Sequence, residues 1–268
     1  MKPKFFILMA LLAVVVLFAS SGAFADTVSG SASIYDWQDF SPANINQNGI
    51  PYWDNPSLDG SQKNVGYFLT ATGYYTGGTQ YLVDNPQFWG GAYNPGSGAA
   101  DPNFYFTNPS PQGIVSLLIE VAGLAPSNIF GWYEVDSGTK HPIFYGIDTG
   151  GATATINIGE NYGFYLERGD GVTFYTQSTV YPVSGDSVNN FALFRDAANS
   201  NVFYLGVEDL TSSELGGGSH CGCYDEGHWG DFNDMVVKVQ PVPLPPSVLL
   251  LGSGLLGLGL LGRRRKRL

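Results

Sequence analysis

Asp231-Phe232-Asn233-Asp234-Met235-Val236-Val237-Lys238-Val239, late in the chain, sets the terms for the fold. Behind an entry rich in Asp and Asn, Met235, Val237 and Val239 fall on one side of an extended strand. Val236 and Lys238 fall on the other, because strand side chains alternate with a period of two. Segments of the same kind recur upstream at Ile114–Val121, Ile129–Val135, His141–Ile147, Ala152–Ile158, Tyr162–Glu167, Val172–Gln177, Phe191–Arg195 and Val202–Glu208. Each is short, aromatic or β-branched, and bounded by Gly, Pro, Asn or Asp. Short strands in such close succession predict two antiparallel sheets packed face to face: a single, all-β, jelly-roll-like β-sandwich.

The first half is less regular. A strand is expected near Thr27–Tyr35 and another at Val65–Ala71. Asp84–Ser110 holds Asn-Pro, Gly-Gly and Asn-Pro-Gly so closely spaced that it reads as an elaborate loop region. No internal repeat points to a propeller or solenoid.

Composition agrees with a folded β domain. With 36 Gly, 16 Pro, 14% aromatic and only 13% charged residues, the chain suits neither long helices nor disorder. The charge is distributed unevenly. Two of the twelve basic residues lie in the first 25 positions and five in the last six, so the body keeps five against 23 acidic residues, a balance of −18. Such a body excludes nucleic-acid binding, which requires neutralised phosphates. It suits solubility outside the cell and the binding of divalent cations.

Both ends carry export signals. Lys2 and Lys4 precede an apolar run from Phe5 to Phe18, and Ala23-Phe24-Ala25 supplies a signal-peptidase site with cleavage expected before Asp26. The expected organisation is a signal peptide (1–25), an extracytoplasmic domain (26–240) and a C-terminal segment (241–268). In that segment Leu244–Gly262 is uncharged and long enough to cross a bilayer as a helix, at ~1.5 Å per residue. Arg263, Arg264, Arg265, Lys266 and Arg267 follow at once and hold the tail on the cytoplasmic side, placing the body outside.

A short proline motif, a glycine-punctuated apolar helix and a terminal arginine cluster, in that order, resemble the PEP-CTERM sorting signals of Gram-negative bacteria. The motif here is the variant Val242-Pro243-Leu244-Pro245, with Val242 and Leu244 where the commonest form has Pro-Glu. The resemblance implies retention in the inner membrane, cleavage by an exosortase, and association with the cell surface or exopolysaccharide. A tail anchor that is never cleaved is the alternative.

The body has its own resemblance. Gly131-Trp132-Tyr133-Glu134, Gly163-Phe164-Tyr165-Leu166, Leu205-Gly206-Val207-Glu208-Asp209 and Asp231-Phe232-Asn233-Asp234-Met235-Val236-Val237 are similar to landmarks of the bacterial surface domain-of-unknown-function family numbered 4114. The likeness spans about 129–239. It implies an extracellular β-rich module and carries over no catalytic residue.

Three constellations bear chemistry. Glu208, Asp209, Asp231, Asn233 and Asp234 would meet at one end of the sandwich if the strands ending at Glu208 and starting at Asn233 are neighbours. Hard oxygen ligands of this kind suit calcium; the alternative is that they accept backbone N–H bonds in the turn entering the last strand. Cys221 and Cys223, flanked by His220 and His228, can form a tight disulfide, bind zinc or copper, or remain as thiols. Trp37, Trp53, Trp89 and Tyr93 lie in loop-like segments, where they either offer faces to sugar rings or cap the core.

Nucleophilic catalysis finds no Gly-x-Ser-x-Gly elbow. Glu134 with Glu208, or Asp136 with Asp209, would serve as a glycosidase pair only by the accident of an acidic surface. The expectation is a non-enzymatic exported protein. A carbohydrate-binding module is the alternative, and a secreted glycan hydrolase the third reading.

Overall fold

The computed structural model describes residues 26–30, 35–39, 65, 69, 86–91, 103–107, 112–120, 125–158, 161–178, 180–183, 190–211, 214 and 232–242. Ala23 and Ala25 of the signal-peptidase site, Pro243–Pro245, the expected span 244–262, the basic tail, Trp53, Tyr93, Asp231 and the segment with His220, Cys221, Cys223 and His228 lie outside these residues. Ala25–Pro241 forms one compact unit. Among the described residues no helix is long and apolar enough to cross a membrane.

Thirteen strands are described: β1 (Thr27–Ser29), β2 (Tyr35–Asp39), β3 (Pro86–Gly91), β4 (Tyr105–Thr107), β5 (Gln112–Glu120), β6 (Ile129–Glu134), β7 (Lys140–Tyr145), β8 (Thr153–Asn157), β9 (Asn161–Glu167), β10 (Thr173–Tyr175), β11 (Phe191–Asp196), β12 (Asn199–Val207) and β13 (Met235–Pro241). They form two sheets. One runs β1-β4-β9-β6-β7, with β10 also on β9; the other runs β2-β3-β11-β12-β13-β5-β8. Every pairing between these strands is antiparallel.

The shared core comes from alternate residues of both sheets. Phe106, Phe130, Phe164 and Leu166 of the first meet Val115, Leu193, Phe203, Leu205, Val237 and Val239 of the second. Each such side chain contributes about 1.5–3 kcal/mol by leaving water, so the inward rows of aromatics supply most of the cohesion. Phe106 is edge-on to Phe203 at 5.1 Å, a direct aromatic contact across the two layers.

The outward face of the second sheet is also covered. Phe88, Ala192, Phe194, Val202, Tyr204 and Val236 form a smaller core with Val65, Leu69 and Phe232. Met235, Val237 and Val239 do face the main core, but Val236, on the other side of the strand, is buried too. The strand expected at Val65–Ala71 is therefore corrected. Val65 and Leu69 are helical and fully buried, four residues apart, so a helical face suited to covering a sheet overrides the β-branched and aromatic run.

Two other expectations are corrected. The region 84–110 contains β3 and β4, since Phe88 and Trp89 bury on opposite sides of β3 despite the surrounding turn residues. The single strand expected near 27–35 is two strands in different sheets, β1 pairing with β4 and β2 with β3.

Candidate functional site

The acidic residues converge where β12 ends. Val207 makes an isolated parallel bridge to Asn233, which brings Glu208-Asp209 beside Asn233-Asp234. The approach depends on Phe232, a buried residue held at φ 53, and on Gly206. A Cβ on Gly206 would stand 2.6 Å from Val65 Cγ2 and 2.7 Å from the Phe232 carbonyl oxygen, so only glycine permits this closeness. A left-handed φ in a bulky residue is costly and persists only where the surroundings enforce it.

Carboxylate oxygens of Glu208, Asp209 and Asp234 lie within 4.8 Å of one another. Their hydrogen bonds match the turn-forming alternative in part. Asp234 Oδ2 accepts the Asp209 N–H at 2.8 Å, and Glu208 Oε1 accepts the Leu210 N–H at 3.2 Å. Asp209 Oδ2 accepts from Asn128 Nδ2 at 3.0 Å. Among the described residues Asn128 Oδ1, buried in the same place, meets no donor. Such an acceptor costs about 1–3 kcal/mol. Burial first, and the Asp234 charge second, push the Asp209 carboxyl up to about 6.

Arg168, just past β9, closes the site from the first sheet. Its side chain is 5% exposed, and Nη1 donates to the Asp209 carbonyl at 2.9 Å and to Glu214 Oε2 at 2.6 Å. Nη2 donates to Glu214 Oε1 at 3.0 Å and to Asp170. The guanidinium holds the Asp170 and Glu214 carboxyls down to about 2. A planar fork that satisfies two carboxylates and a backbone carbonyl ties the β9–β10 turn to the end of β12.

Asn128 and Arg168 are the site residues that sequence reasoning missed. Arg168 had a signal, being one of five basic residues in so acidic a body. Asn128 had none. Of the expected residues, the structure brings Glu208, Asp209, Asn233 and Asp234 together.

Of the aromatic set, Trp37 and Trp89 fall within the described residues. Trp37 and Trp89 sit on paired strands β2 and β3, not in loops. Trp89 is 7% exposed in the main core. Trp37 packs edge-on to Trp89 at 5.3 Å and stacks on Phe203 at 6.0 Å, while the Arg195 guanidinium lies 4.2 Å from its ring centroid. Trp89 is a core residue, and Trp37, half-buried, packs against the same core, which matches the core-capping alternative for these two rings. Glu134 and Glu208 are held far apart along β6. Glu134 ends β6, six residues and roughly 20 Å along the strand from Asn128 at the acidic site, beyond either glycosidase spacing.

A second buried carboxyl lies at the other end of β9. Asp26 is 4% exposed, its Oδ2 accepts the Tyr162 hydroxyl at 2.6 Å, and burial pushes it up to about 7. Asp26 Oδ1 meets no donor among the described residues. No protein-family model, no curated protein and no solved structure matches the chain.

Proposed function

We propose that this chain is an exported, non-enzymatic protein of the cell envelope or exopolysaccharide matrix. Its PEP-CTERM-type tail is retained in the inner membrane and then processed by an exosortase. The body is a jelly-roll-like sandwich related to the surface-domain family numbered 4114, and its acidic, export-suited composition accords with that role.

One observation carries the reading. The compact unit runs from Ala25 to Pro241, so its limits coincide with the signal-peptidase site on one side and Val242-Pro243-Leu244-Pro245 on the other. Signal peptidase, exosortase and the inner membrane are the partners on this route, and exopolysaccharide is its destination.

The experiment is a periplasmically active reporter fused after Gln240, together with deletion of the exosortase in the producing cell. An active reporter and a longer, membrane-retained form in the deletion strain are expected. A cytosolic reporter would contradict export, and a tail unchanged by the deletion would contradict exosortase processing.

A further inference from the structure

We propose that β8 is a self-association edge, through which two copies of this chain join antiparallel so that the second sheet continues from one body into the other. The inference goes beyond the export route proposed above and does not rest on it, because β8 lies within the compact unit and in neither end.

A sheet edge presents unpaired N–H and C=O groups, and proteins that stay single guard it with short strands, charges or proline. Among the described residues the other edges are guarded. β1 and β10 are three residues long. β7 carries Lys140 and Pro142, which has no N–H to offer, and its last N–H, on Tyr145, is taken by Asp148 Oδ2 at 2.8 Å. β2 carries Asp36, whose Oδ1 accepts the Trp37 N–H at 2.7 Å. β8 has none of these devices: Thr-Ala-Thr-Ile-Asn is five residues without charge or proline.

The ladder fixes which groups are open. Leu117 N–H donates to the Ala152 carbonyl at 2.9 Å, and hydrogen-bonded pairs then alternate along the two strands, setting Val115 with Ala154 and Gly113 with Ile156. The N–H and C=O groups of Thr153, Thr155 and Asn157 therefore point away from β5, and among the described residues no strand pairs with them.

Two features select a second copy as the occupant. Thr155 is the middle residue of β8, so a twofold axis through it lets Thr153, Thr155 and Asn157 each give one N–H and accept one, with Thr155 opposite itself, Thr153 opposite Asn157 and Ala154 opposite Ile156. Facing threonines are favourable cross-strand neighbours, and Ala154 and Ile156 both turn to the main core, which then continues across the join. The other feature is charge. With a balance of −18, bodies repel one another except where charge is missing. The outward row beside this edge, Gln112, Ile114 and Ser116 on β5 with Thr153, Thr155 and Asn157 on β8, carries none, and Ile114 is an exposed large apolar side chain.

The test uses the full chain, purified in detergent from cells that make it, and follows sedimentation over a range of concentrations together with amide hydrogen exchange. A weak equilibrium between monomer and dimer, half-associated at about 10–100 µM as a small interface gives, is expected to tighten with added salt as the repulsion is screened. The amides of Thr153, Thr155 and Asn157 should exchange about tenfold or more slowly in the dimer than in the monomer. Thr155→Glu sets like charges opposite each other and Thr155→Pro removes the outward N–H, so each should weaken association about tenfold or more, whereas Thr155→Val keeps that N–H and should retain it. A chain that stays monomeric up to about 1 mM, an association that survives Thr155→Glu as a tail-driven contact would, or a dimer in which Thr155 exchanges as in the monomer would each overturn the assignment. Should Thr155→Pro fail to fold, Thr155→Glu and the exchange rates still decide it.

Discussion

Asp26 and Asp209 are both buried aspartates raised far above the usual carboxylate range, yet they answer burial in different ways. Asp26 stands against Tyr162 at the start of β9, and desolvation alone lifts it to about 7. Asp209 stands against Arg168 and Asn128 at the far end, roughly 20 Å along the strand, and its rise to about 6 includes the charge of Asp234. An isolated buried carboxyl is neutralised most simply by a proton. Asp209 instead has the Asn128 amide on its carboxylate and the Arg168 guanidinium on its backbone carbonyl. The two ends thus answer burial differently, with a lone carboxyl against the Tyr162 hydroxyl at one and charge pairing through Arg168 at the other.

The largest effect expected is at the charge-paired end. Arg168→Met removes the guanidinium from Asp170, Glu214 and the Asp209 carbonyl, leaving the carboxylates only their Val172 and Thr211 donors, and should cost about 2–3 kcal/mol in urea unfolding, discounted because both carboxylates are substantially exposed. A loss below about 0.5 kcal/mol would mean that the pin is decorative. Gly206→Ala should come close behind, at about 1–3 kcal/mol, because the added methyl meets Val65 and the Phe232 carbonyl together.

The Asp26 end gives a pH signature. A carboxyl whose folded pKa is raised contributes stability that is complete below its unfolded value near 3.8 and is lost as pH rises through about 7. In a chain that keeps residues ahead of Asp26, wild-type stability should fall across that window, and Asp26→Asn should remove the fall and be the more stable protein at pH 8, by about 2 kcal/mol. Cleavage before Asp26 would place an ammonium beside the same carboxyl, pulling its pKa down and shifting the fall to lower pH. If both forms gave the same profile, the contrast between the two ends would lose its basis. The smallest effect is Tyr133→Phe, which removes the hydroxyl donated to Gln177 Oε1 at 2.9 Å and should cost about 1 kcal/mol by the same unfolding assay.

What was readable in advance follows from how local each feature is. From β5 onward, strands carry alternation between turn residues, so β5 and its successors fall close to the expected segments. The run at Val65 carries the same residue types, and only the outward apolar row of Phe88, Phe194, Val202 and Val236, which Val65 and Leu69 cover, selects a helical conformation at those two residues. β3 was hidden because its evidence is the burial of Phe88 and Trp89 on two faces, which no spacing announces. Glu208, Asp209, Asn233 and Asp234 were legible as a group because they flank two strand ends. Asn128 and Arg168 reach them only through the stacking of the two sheets, a contact that sequence separation conceals.

The central claim is a body that begins at Asp26 and is severed from its basic tail after export, and intact-mass spectrometry of the protein from its own cell tests it most directly. A mass corresponding to a chain starting at Asp26 and lacking Arg263–Leu268 is predicted. A mass that includes both Met1 and the arginine cluster would contradict it.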